Sequence, residues 1–147
     1  MCNDENERKK AFLRQYAMSR RREDEINQEI EALETRYGLH SPIIDDMPHG
    51  SGGGSGLEEF AAQYDKLWRK LKAQRAHSIN VYHDIVDAVE AMPCGEDKKT
   101  LLRYRYLLGR TWEETAVFLH VTYRHTLRLH GEALKLFEIP KKNQQMS

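Results

Sequence analysis

Two stripes of residues spaced alternately by four and three set the first limit on how this chain can fold. The upstream stripe reads Phe12, Tyr16, Ser19, Glu23, Ile26, Ile30, Leu33 and Tyr37. The downstream stripe reads Leu57, Phe60, Tyr64, Leu67, Leu71, Gln74, Ser78, Val81, Ile85, Ala88 and Met92. Residues at this spacing lie along one side of a helix and need a matching apolar seam to cover them, as in a coiled coil. Neither stripe is interrupted by proline or glycine.

Between the stripes, His49-Gly50-Ser51-Gly52-Gly53-Gly54-Ser55-Gly56 has the composition of a flexible coil, and Pro42 and Pro48 before it resist helix. A loop is therefore expected over roughly 38–56. Two such helices joined by a loop fold back most simply as an antiparallel hairpin. Pairing Leu33 with Phe60 at the loop end places Ser19 opposite Gln74 and Phe12 opposite Val81. The polar interruptions of the two seams then meet, and one polar layer can fix a register. The second helix outruns the first, leaving Ile85, Val89 and Met92 to pack on the C-terminal part of the chain. Met92-Pro93-Cys94-Gly95 ends it, so the hairpin is expected to occupy residues 1–92.

Charged residues make up 31% of the chain, which suits helices with solvated faces better than one large core. No apolar run reaches the roughly 18 residues of a membrane span, and the start of the chain lacks the apolar core of a secretory signal. Cys2 and Cys94 lie far apart and form no CxxC pair, so free thiols in a reducing cytoplasm are expected. Net charge is zero but unevenly spread: −1 over residues 1–37, −5 over 38–97 and +6 over 98–147. A local positive field is what attraction to phosphates requires, whatever the total.

Three short helices are expected in a module over 93–140, with 141–147 a disordered tail. The first covers 98–108, with Leu101, Leu102, Arg105 and Leu108 spread over neighbouring faces, and Gly109 ends it. Thr111 and Glu114 form a capping-box signature for the second, which runs to about Leu119 with Ala116 and Leu119 turned inward. His120-Val121-Thr122 makes a turn, and Thr122 caps the third helix, from Tyr123 to about Phe137. Thr126, Leu129, Ala133 and Phe137 share one face of that helix; Arg124, Leu127, Arg128 and Gly131 share the opposite one. A short helix, a tight turn and a longer helix with arginines outside is the helix-turn-helix layout. Its third helix would enter the major groove of double-stranded DNA, where arginine can read guanine in bidentate fashion. The candidate DNA-binding residues are Tyr123, Arg124, His125, Leu127 and Arg128, with Arg110 among the flanking cations that can hold phosphate.

Leu102-Arg103-Tyr104-Arg105-Tyr106, Thr111 to Ala116 and Val121 to His125 resemble region four of bacterial sigma factors over about 40 residues. Thr115 and Thr126 depart from that pattern, standing where the family usually has Ile and Val. Nearly the whole chain is similar to small phage and prophage regulators, the ArpU-type late-gene activators, through Met47 to Gly52 and Tyr123 to His130. That resemblance implies an activator working with RNA polymerase at promoters in a bacterial host cell.

Other features weigh less. His120, His125 and His130 are spaced by five rather than the four that aligns two metal ligands on a helix, so no metal is expected. His77 and His83 suit packed or solvated positions better than catalytic ones. Arg20-Arg21-Arg22, followed by Glu23-Asp24-Glu25, suits self-neutralisation. Met47-Pro48-His49-Gly50 is either a plain loop or a docking element. No phosphate loop, serine elbow or carboxylate pair stands out, so neither an enzyme nor a cofactor is expected. The coiled coil can serve a homodimer or a contact with RNA polymerase. The competing reading is an interaction adaptor whose coiled coil is the working part and which lacks specific DNA readout.

Overall fold

A computed structural model describes residues 2–38 and 53–144. The protein is all-α, with no strand among the described residues. In chain order the helices are α1 (Cys2–Arg36), α2 (Gly53–Glu90), α3 (Glu96–Leu102), α4 (Trp112–Leu119), α5 (Tyr123–Leu136) and α6 (Lys141–Gln144). A π-helical turn, Arg103–Leu107, continues α3. No helix among the described residues is long and apolar enough to cross a membrane. The candidate docking element Met47-Pro48-His49-Gly50 lies outside the described residues.

The chain divides into two compact units. The unit Ser19–His77 is built on Ile26, Ile30 and Leu71, with Tyr64 and Leu67 packed alongside. Its cross-helix partners descend on α2 as they rise on α1, so the two segments run antiparallel. Gln74 Nε2 donates to Ser19 Oγ at 2.9 Å and to the Ser19 carbonyl at 3.2 Å. Further along, Tyr64 donates to Glu34 at 3.1 Å, and the rings of Tyr37 and Phe60 lie 4.9 Å apart. The polar layer expected from the stripes is thus a direct hydrogen bond. Glu23, a buried stripe position, accepts from Arg20 at 2.8 Å, and Arg22 pairs with Glu25 at 2.8 Å. Leu57, the first downstream stripe residue, is 68% exposed. α2 starts at Gly53, inside the stretch whose composition predicts loop. Composition reports flexibility in isolation, whereas extending an existing helix gains about one hydrogen bond per residue fixed.

The other unit comprises Met1–Met18 and Ser78–Ser147. One core joins Phe12 and Leu13 of α1, Ile85, Val89 and Met92 around the end of α2, Leu101, Leu102, Tyr106 and Leu107, and Ala133, Leu134 and Phe137. The Phe12 and Phe137 rings are 5.9 Å apart. Lys9 is buried beside them and donates to the Leu134 carbonyl at 2.8 Å, which satisfies a carbonyl near the end of α5. Ile85, Val89 and Met92 pack with the C-terminal helices as the stripe predicts; Phe12 and Leu13 join them there. Lys142 of α6 reaches Asp84 at 2.7 Å, in a region expected to be a disordered tail.

The π-helical turn alters the face that each residue around it presents. Leu108 N–H donates to the Arg103 carbonyl, five residues back, at 3.0 Å. The wider turn rotates the residues after it relative to an α-helix. Within it Tyr106 and Leu107 are buried, and Leu108 just after it is 57% exposed. Gly109 then takes the left-handed conformation (φ 66°) that glycine adopts at least cost.

Candidate nucleic-acid interface

The local chemistry of the two threonine caps positions α4 and α5. Thr111 Oγ1 accepts from Glu114 N–H at 3.1 Å, and Glu114 accepts from Thr111 N–H at 3.2 Å, a closed capping box. Thr122 Oγ1 accepts from His125 N–H at 3.1 Å. Four residues after each cap stands a fully buried threonine, Thr115 or Thr126. Their hydroxyls donate to the Thr111 and Thr122 carbonyls at 2.8 and 2.9 Å. Both departures from the sigma-like pattern are thus buried hydroxyls with partners, so neither carries an uncompensated desolvation cost.

The turn has the Schellman pattern. Val121 N–H donates to the Ala116 carbonyl at 3.1 Å and His120 N–H to that of Val117 at 3.2 Å. His120 itself is left-handed, with φ 58°. Histidine adopts this conformation less readily than glycine but more readily than a β-branched residue.

α5 is sided. Thr126, His130, Ala133, Leu134 and the adjoining Phe137 are buried, while Arg124, Leu127, Arg128 and Lys135 are exposed. Of the residues predicted to contact DNA, Arg124, His125 and Arg128 line one concavity together with Thr122. Arg128 donates to His125 Nδ1 at 2.6 Å. Tyr123 and Leu127, 47% and 40% exposed, lie outside that lining. So does Arg110, an exposed residue before α4 whose carbonyl accepts from Arg105 at 2.9 Å. The acidic residue of α5, Glu132, pairs with Lys98 at 3.7 Å. Among the described residues no group of three His, Cys, Asp or Glu is placed to hold a metal ion.

Behind this face lies a cluster that the sequence reading missed. Tyr106 and His130 share a buried hydrogen bond of 2.8 Å. Trp112 meets the His130 ring edge-on at 4.6 Å, and the Arg105 guanidinium sits 4.7 Å from the centre of the Trp112 ring. Burial, with cations at Lys10, Arg105 and Arg14, lowers the His130 pKa to about 4. Burial likewise raises that of Tyr106. The imidazole is therefore neutral at physiological pH and acts as a packed hydrogen-bonding group. A signal for its burial was present: Thr126, His130, Ala133 and Phe137 succeed one another at helical spacings of four, three and four.

A separate apolar surface lies on the outside of this unit. Tyr104 stacks on Phe118 with ring centres 4.0 Å apart, and Val117 beside it is 75% exposed. No family model matches the chain, and no curated protein or solved structure is significantly similar to it.

Proposed function

We propose that this protein is a sequence-specific, double-stranded-DNA-binding transcription regulator, with α4, the turn and α5 acting as a helix-turn-helix. The observation that carries this reading is the division of α5 into a buried face and an outward face bearing Arg124, Leu127 and Arg128. The capped N-terminus of α5 lies beside these side chains, and Glu132 is engaged by Lys98. This combination supplies donors for guanine, an apolar group for thymine and positive potential for phosphates. Tyr123 and His125 add polar contacts, and Arg110 adds a flanking cation.

The antiparallel stretches of α1 and α2 form a coiled-coil hairpin that serves a homodimer or a contact with host RNA polymerase. The similarity to phage-type late-gene activators favours action at promoters in the cytoplasm of a bacterial host. A second reading, an interaction adaptor without specific DNA readout, draws support from the exposed Val117 and the Tyr104–Phe118 stack.

Selection from a random duplex library tests the proposal. The full chain should enrich a recurring motif, and sequencing the retained fragments would reveal it. Recovery of an unbiased library would refute specific readout and leave the adaptor reading standing.

A further inference from the structure

Gly131 stands in the middle of α5, where glycine has a cost and no visible structural purpose. It occupies a helix interior, and its φ is not in the left-handed range that would call for glycine. A Cβ added there would meet no atom within 4 Å, so the chain itself does not require the space. Glycine weakens a helix interior more than any residue except proline, because it surrenders the most backbone freedom on folding. Packing and backbone geometry therefore both leave its presence unexplained.

Its place on the helix suggests what the space is for. At 100° per residue, Gly131, itself half-buried, falls between Leu127 on one side and Arg124 and Arg128 on the other, at the border of the face that carries the arginines. Lys135, also exposed, comes one turn later on that face. The buried stripe of Thr126, His130, Ala133 and Phe137 lies on the opposite side. The bare backbone at Gly131 is thus flanked by cations along the helix.

We propose that Gly131 is where a DNA sugar–phosphate strand approaches the α5 backbone most closely. The strand crosses the helix between Arg128, which reaches the bases, and Lys135, which holds a phosphate beyond the crossing. This rests on the DNA-binding reading above and adds a steric requirement to it: a side chain at position 131 would stand off the strand and lift the neighbouring arginines away from the bases.

The test compares Gly131→Ala and Gly131→Leu with the parent, as full chains, on a short duplex that the parent selects from a random library. Gly131→Ala should raise the melting temperature and weaken binding several-fold, and Gly131→Leu should weaken it further. Opposite signs for stability and affinity are the signature, because a glycine of structural value would lose both together. A more stable Gly131→Ala that binds as tightly as the parent would overturn the close approach. So would a less stable one, by showing that the fold itself needs the glycine. If the parent selects no duplex, the DNA-binding reading fails and this inference falls with it.

Discussion

Arg128 donates to His125 Nδ1 at 2.6 Å, one helical turn apart on the face of α5 that lines the basic concavity. The bond restrains a long side chain before any ligand arrives. Restraint of this kind lowers the ordering cost of binding.

Arg128→Ala and Arg124→Ala should each weaken specific binding by about 1–3 kcal/mol and relax base choice at one position. His125→Ala should cost less, by releasing Arg128 rather than removing it. The double variant Arg128→Ala/His125→Ala should then fall short of the sum of its parts, as coupled neighbours do. Fluorescence anisotropy on a selected duplex measures each value. Melting temperatures should barely move, because both arginines are exposed.

Leu127 presents an apolar side chain, 40% exposed, beside these arginines. It should contact a thymine 5-methyl group. Replacing the relevant thymine by uracil removes only that methyl, worth about 0.8 kcal/mol or close to fourfold in affinity. The parent should show this loss and Leu127→Ala should not. Equal sensitivity in both proteins would place Leu127 away from the base edges.

His130 makes the fold sensitive to acid. Its pKa is about 4 in the folded protein and near 6.5 in an unfolded chain, so between those values the unfolded state takes up the proton and the folded state resists it. Stability should be fully present above pH 6.5 and decline as pH falls towards 4, by up to about 3 kcal/mol. Urea midpoints across this range should flatten in His130→Phe relative to the parent. Tyr106→Phe, which removes a buried hydrogen-bond partner, should cost about 1–3 kcal/mol.

Leu13→Ala should destabilise the unit that carries α5 by about 2–5 kcal/mol, although it lies far from that helix in sequence. Leu13 is fully buried in the same core as Phe137. Hydrogen exchange of α5 amides would detect the effect. Unchanged protection would show that α5 is stabilised independently of α1.

The features legible in the sequence were those set by local rules or by long periodicity. The pairing of Ser19 with Gln74 came from alternating fours and threes in both stripes, which leave few registers. The caps at Thr111 and Thr122 came from residue types a few positions apart. The burial of Tyr106 and Leu107 did not, because a single widened turn has no distinctive composition. Nor did the packing of Phe12 and Leu13 on the C-terminal helices. Leu13 lies one position off the stripe, and the residues of α3 to α5 that share its core are more than 80 positions later in sequence. The role of His130 is illegible for another reason: its helical spacing matches the buried face of α5, but its hydrogen-bond partner Tyr106 lies 24 residues away in another helix.

A titration of DNA binding against salt tests the central claim most directly. Each phosphate neutralised by Arg110, Lys135 or another flanking cation should contribute about −0.9 to the slope of log affinity against log salt. Binding to a selected duplex should therefore fall steeply as salt rises. Arg110→Ala should make the slope shallower by about one phosphate while leaving base preference unchanged. Absence of any DNA complex even at the lowest salt would contradict the account and leave a protein that works through its helical surfaces alone.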